Sequence, residues 1–223
     1  MASGRGRTLT RAHRVLGRSD VRYRFQVKEK AVPYRGYFRM ERYVLRHELF
    51  GGGWSHQVTR EMLERGHAVA VLPYDPELDC VVMVEQFRIG AIKSEARPWL
   101  LEVVAGIIEE GEDVETVARR ETMEETGCPP QDLVYIADYI MSPGGSSERN
   151  HLFCARVDAR GAHGTLRGCT DESEDIRVHV VGFEDAMAKL AGGAVKVATP
   201  LIALQWLALN RDSLRRRWAR AGG

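Results

Sequence analysis

The sequence predicts an α+β fold, a mixed β-sheet with few helices preceded by a small N-terminal antiparallel β unit. Three observations predict it. Short apolar or alternating segments, separated by Gly, Pro and Asp turns, recur from residue 21 to residue 181. A single helical segment with clear stop signals interrupts them, and two more helical segments close the chain. Strands do not alternate regularly with helices, which argues against a doubly wound parallel sheet.

Taken in order, Val21, Tyr23, Phe25 and Val27 alternate with polar residues, so Val21–Val32 begins as a strand. Tyr37–Phe50 alternates more loosely, Gly51–Gly53 marks a turn, and Trp54–Met62 reads as the returning strand. Residues 21–63 therefore form an antiparallel unit too small to bury a core alone. The main domain, 64–210, opens with the apolar run Ala68–Leu72, which reads as a strand buried on both faces. Asp75–Asp79 is a turn leading to the paired strand Cys80–Phe87, and Trp99–Val104 is a further strand. Glu112–Thr126 is helical. Leu133–Met141 and Leu152–Val157 are strands flanking the loop SPGGSSER, and Ile176–Val181 is a strand after the acidic run DESED. Helices Phe183–Leu190 and Pro200–Trp218 follow, and residues 211–223 form a basic C-terminal end.

A composition of 44% hydrophobic and 28% charged residues with a net charge of +1 describes a globular chain and gives no reason to expect nucleic acid or membrane as a partner. Residues 1–20 are the exception: Arg5, Arg7, Arg11, Arg14 and Arg18 stand with no acid before Asp20. They read as a disordered basic tail or a mitochondrial transit peptide. No run has the length of a membrane span and there is no secretory apolar region. Cys80, Cys128, Cys154 and Cys169 form neither CxxC nor zinc spacing, so they are expected as reduced thiols in a cytoplasmic protein.

The most informative stretch is GIIEEGEDVETVARRETMEETGC, Gly106–Cys128. On a helical projection Val114, Val117 and Ala118 form an inward stripe, and the same stripe continues to Glu121 and Glu125. Like charges at i, i+4 repel. Burying them uncompensated ends in proton uptake or in a bound cation, and oxygen-only ligands favour Mg²⁺ or Mn²⁺. The alternative is a solvated acidic helix. Gly127, Pro129 and Pro130 end the helix.

Gly106, Glu112, Arg120, Glu121, Glu124, Glu125 and Gly127, at their spacing, resemble the Nudix box of the Nudix hydrolases. Two positions that are usually aliphatic hold Thr122 and Cys128. The resemblance runs from about residue 30 to 210, through YRGYF, EQFRIGA, PWLLEVVAGIIEEGE, SPGGSSER and DESEDIRVHVV, and is to the bacterial ADP-ribose pyrophosphatase branch. It implies a Nudix α/β/α sandwich with a mixed sheet. It also implies a homodimer with swapped N-terminal units and an active site shared between subunits.

The resemblance further implies Mg²⁺-dependent hydrolysis of ADP-ribose to AMP and ribose 5-phosphate, with more than one ion at turnover. Metal would sit on Glu121, Glu125, the Ala105 carbonyl and Glu174, while Gly106, Glu112, Arg120, Glu124 and Gly127 support the box. Glu172 would take the proton, with Asp171 or Glu174 as alternatives; from sequence alone DESED is also a solvated loop. Arg88 would meet the diphosphate. Tyr37, Phe38, Arg60 and Glu61 would hold the adenine, and Arg65, Ser142, Pro143, Gly144 and Glu148 the ribose side. Other readings are a pyrophosphatase for a different nucleoside diphosphate sugar such as ADP-glucose, and a non-catalytic ADP-ribose-sensing module.

Overall fold

A computed structural model describes residues 23–169 and 173–219. The basic tail 1–20, the expected proton acceptor Glu172 and the last residues of the basic C-terminal end lie outside the described residues. In chain order the strands are β1 (Phe25–Arg35), β2 (Arg39–His47), β3 (Val58–Glu64), β4 (His67–Asp75), β5 (Cys80–Phe87), β6 (Trp99–Glu102) and β7 (Val104–Ile108). Helix α1 (Val114–Thr126) follows, then β8 (Asp132–Ile140), β9 (Arg149–Arg156), β10 (Leu166–Arg167) and β11 (Ile176–Gly182). Helices α2 (Phe183–Ala191) and α3 (Ala198–Ala219) close the fold.

The large sheet is mixed, in the order β10-β11-β5-β4-β9-β8, with β6 on β5 and β7 on β4. The central pair β4–β9 is parallel, and its other pairings are antiparallel. β4 has no polar alternation because both its faces are covered. Val69 and Val71 join a core with Val117 and Ala118 of α1. Ala70 and Leu72 join another with Phe183 and Ala186 of α2 and Ala203, Leu204 and Leu207 of α3. Since strand side chains alternate between faces, the continuous apolar run is what an α/β/α sandwich requires of its middle strand.

One expected element divides. Trp99–Val104, read as one strand, is two. β4 and β5 pair only beside their turn, at Tyr74 with Val81 and Asp75 with Cys80. Beyond it they part, and the 99–108 segment fills the gap, with β6 on β5 and β7 on β4. Val103 at the break packs with the α2–α3 core and Val104 with the α1 core. Apolar pattern alone cannot show such a break, because both halves are extended and apolar.

The N-terminal strands form a separate three-stranded antiparallel sheet, β1-β2-β3. Its bounds differ from the expected strands because Tyr37 and Phe38 lie within the β1–β2 turn, and Gly52 and Gly53, both at positive φ, shape the β2–β3 connection. β1 is almost wholly exposed. The sheet is tied to the rest by the end of β3, where the Leu63 N–H donates to the Gly145 carbonyl at 2.7 Å.

At the far end of the molecule α3 is anchored by Trp218, 1% exposed. Its Nε1–H donates to Asp132 Oδ2 at 2.8 Å, and its ring lies 6.2 Å from that of Tyr74. Trp218→Ala should cost about 3–5 kcal/mol of unfolding free energy in urea titrations. Trp218→Phe should cost less, because it keeps the ring and loses the hydrogen bond.

Candidate active site

Helix α1 starts where the Asp113 side chain accepts from the Thr116 N–H at 2.9 Å, and it stops at Gly127, whose φ of 72° is the left-handed cap. Its buried face holds Val117, Ala118, Thr122, Glu125 and Thr126. The stripe thus does turn from apolar to carboxylate. Thr122, at a usually aliphatic position, is buried because its hydroxyl is satisfied by the Ala118 carbonyl at 2.6 Å. Cys128 is buried as well.

Glu125 is the unusual residue, at 2% exposure. Its Oε2 has no hydrogen-bond partner. Burial, then the negative charges of Glu174 and Glu121, push its pKa well above the usual carboxylate range. Arg88 and the Ala105 main chain oppose this without reversing it. The position makes the carboxylates costlier still: Glu121, Glu124 and Glu125 stand in the last turns of α1, at the negative end of the helix dipole, with no basic residue in the last turn.

β7 brings Ala105 and Gly106 against this end of α1. A Cβ on Gly106 would coincide with the Glu121 carboxylate, so the glycine is what lets that side chain lie across the strand. In an antiparallel strand the N–H and C=O of one residue point to the same edge. The Ala105 main chain hydrogen-bonds Glu125, so its carbonyl points to that edge too.

Arg120 pairs with Glu121 at 2.9 Å and Glu124 at 3.2 Å. The Arg120–Glu112 contact is long, at 3.9 Å. Glu112 instead accepts the Glu109 N–H at 2.8 Å and so fixes the loop before the helix. Gly127 is crowded by the Arg167 guanidinium as well as left-handed. Glu174 Oε2 accepts the Cys169 N–H at 3.2 Å while its charge bears on Glu125.

This donor set fits a divalent ion: an orphaned buried carboxylate oxygen, a second helix carboxylate, a third from the DESED loop and a main-chain carbonyl at the same edge. Among the described residues no three Asp, Glu, His or Cys side chains close round one point.

A second group of expected residues gathers at the same end of the sheet. Arg65 lies over the Phe38 ring at 5.3 Å and pairs with Glu148 at 3.5 Å. Ser142–Gly145 is a turn closed by the Gly145 N–H on the Ser142 carbonyl at 3.0 Å. Tyr37 packs edge-on against Phe38 and is 84% exposed. Arg60 and Glu61 are not brought together. They are consecutive on β3, opposite Tyr43 and Arg42, and face opposite sides of the sheet.

Two residues were missed by the sequence reading. Glu102, 9% exposed on β6, accepts Arg88 Nε at 2.7 Å. Its signal was present: a carboxylate inside the apolar run WLLEVV. Glu64 accepts the Gly66 N–H at 2.9 Å and the Ser147 hydroxyl at 2.8 Å, and these bonds hold its pKa below the usual range. It clamps the N-terminal sheet to the 142–148 loop, a role no local pattern announces.

Two outcomes follow from this geometry. Gly106→Ala should leave circular dichroism unchanged and weaken Mn²⁺ binding about tenfold or more in calorimetry, because it displaces Glu121. In metal-free protein the raised pKa of Glu125 makes its contribution fully present at acidic pH and lost as pH rises through the folded value. Glu125→Gln should therefore melt above the wild type at alkaline pH without metal, and should lose the rise in melting temperature that Mg²⁺ gives the wild type.

Residues 64–202 match the NUDIX domain. The chain is 47% identical over 204 residues to the ADP-ribose pyrophosphatase of Escherichia coli (strain K12), covering 92% of this chain and 95% of that one. It is 45% identical to the ADP-ribose pyrophosphatase of Haemophilus influenzae, over 84% and 88% of the two chains. It is 34% identical to the GDP-mannose pyrophosphatase of Cronobacter sakazakii, over 68% and 78%. The crystal structure of an ADP compounds hydrolase matches the fold with a TM-score of 0.63 at 21% identity, over 89% of this chain and 96% of that chain. The described mixed sheet and the box geometry at the end of α1 agree with these likenesses, and the chain belongs to the Nudix family.

Proposed function

We propose that the protein is an ADP-ribose pyrophosphatase, hydrolysing ADP-ribose to AMP and ribose 5-phosphate with Mg²⁺. The observation that carries the chemistry is the buried Glu125 carboxylate, with an unpartnered oxygen, beside Glu121 and under the charge of Glu174. The substrate reading is supported by relatives 45–47% identical over 84–92% of this chain, more than the NUDIX domain alone spans.

Glu121, Glu125, Glu174 and the Ala105 carbonyl would hold the metal, Mg²⁺ or Mn²⁺, with more than one ion at turnover. Bound there, the metal supplies neutralisation of phosphate oxygens and a water of lowered pKa. Arg88 binds the diphosphate, whose paired oxygens suit a guanidinium. Glu172 accepts the proton of the attacking water on its carboxylate. Gly106, Glu112, Arg120, Glu124 and Gly127 keep the metal-binding carboxylates in place. Arg65, Glu148 and the Ser142–Gly144 turn contact the ribose side, and Tyr37 and Phe38 stack on the adenine.

The active protein is a homodimer with a shared site. β1 is exposed along nearly its whole length, and Phe25, Tyr34, Tyr37 and Phe50 stand bare around it. Arg60 and Glu61 of one chain face opposite ways, so one adenine can use both only if they come from two subunits. No helix among the described residues is long and apolar enough to cross a membrane, and the four cysteines are unpaired. The free cysteines support reading the protein as one of a reducing, cytoplasmic compartment.

Incubation with ADP-ribose and Mg²⁺ should release AMP, and chromatography should show ADP-glucose and GDP-mannose to be poorer substrates. Absence of metal-dependent AMP would remove this reading. Glu125→Gln should lower kcat by about a hundredfold or more. Light scattering coupled to size exclusion should give twice the chain mass; a monomer that retains full activity would rule out the shared site.

A further inference from the structure

We propose that Glu102 is a positioning residue for this reaction, aiming the Arg88 guanidinium at the diphosphate; the role rests on the diphosphatase reading above. Side chains alternate along β6 and β7. Leu101 and Val103 pack with the α2–α3 core and Val104 with the α1 core. Glu102 therefore faces the α1 side, as does its register partner Val84 on β5. That is the side that carries Glu121 and Glu125.

A carboxylate buried in an apolar strand needs a cationic or hydrogen-bonding partner. Arg88 is that partner, 2.7 Å away through Nε. Arg88 stands just past β5, with its own N–H held by the Pro98 carbonyl at 2.8 Å. Its charge reaches Glu125. The guanidinium has five N–H donors in a rigid fork. Glu102 engages Nε, and among the described residues no other carboxylate pairs with Arg88. The four Nη hydrogens therefore stay available for phosphate oxygens, on a side chain still 41% exposed.

The arrangement explains why a charged residue is tolerated within WLLEVV. The Glu102 carboxylate fixes the torsions of a long side chain that would otherwise lose rotamer freedom on binding, and it does so from behind, leaving the phosphate-facing edge open. Glu102 touches neither the substrate nor the metal in this role.

The test is a double-mutant cycle in steady-state hydrolysis of ADP-ribose with Mg²⁺. Glu102→Gln should lower kcat/KM about tenfold or more, the loss of one charge-assisted aiming bond. In an Arg88→Ala background the same change should cost less than about twofold, since its action passes through Arg88. Mn²⁺ affinity, read by electron paramagnetic resonance, should stay within about twofold of wild type. Arg88→Lys keeps the charge but not the fork, and should lose activity comparably even if Glu102→Gln folds poorly.

Wild-type kcat/KM in Glu102→Gln would overturn the role. So would an undiminished loss in the Arg88→Ala background, a collapse of Mn²⁺ binding, or full activity in Arg88→Lys. An unchanged protein that does not hydrolyse ADP-ribose overturns the functional reading and this role with it. An active protein with an indifferent Glu102 overturns this role alone.

Discussion

The constraint on which the rest depends is the burial of the Glu125 carboxylate at the wrong end of a helix. Burial, two neighbouring carboxylates and the helix dipole all disfavour its charge. Local relief is incomplete: the Arg88 charge and the Ala105 main chain only partly offset it, and Arg120 pairs with Glu121 and Glu124. A fold usually avoids such a cost. Here it is kept at the one place where β7 lays a glycine under Glu121 and turns the Ala105 main chain toward Glu125. Stability is given up locally so that a cation and its phosphate ligands can supply it.

The split between β6 and β7 is the fold's contribution to that arrangement. A single strand would have carried residues 99–108 along one neighbour. Parting at Val103 lets Glu102 stay on β5 beside Arg88 while Gly106 reaches β4 beneath α1. Gly106 beneath α1 and Glu102 beside Arg88 therefore come from adjacent short strands. Each is fixed by its own ladder, and both lie on the α1 face.

The N-terminal sheet solves a different problem. It has a ladder but little core, and it depends on what it touches. Within one chain its anchor is the end of β3, where Leu63, Glu64 and Arg65 meet the 142–148 turn. Phe25, Val27, Tyr34 and Tyr37 remain exposed on it.

Much was determined by the sequence itself. The apolar run at β4, the Gly and Pro stops of α1 and the stripe of period 3.6 turning from Val117 to Glu125 are all local properties of the chain. Seven fixed residues then pointed to the family that the NUDIX match shows. Tertiary structure decided the rest. The break at Val103 depends on β4 and β5 parting, which neither strand encodes alone. The weak Glu112–Arg120 contact depends on a loop N–H competing for Glu112. That Arg60 and Glu61 point apart depends on β3 being paired throughout. Glu102 was legible only as an oddity, a charge in an apolar run. Its meaning came from a guanidinium 14 positions earlier in the chain folded to within 2.7 Å of it, because a buried charge is defined by its partner and partners are chosen by the fold.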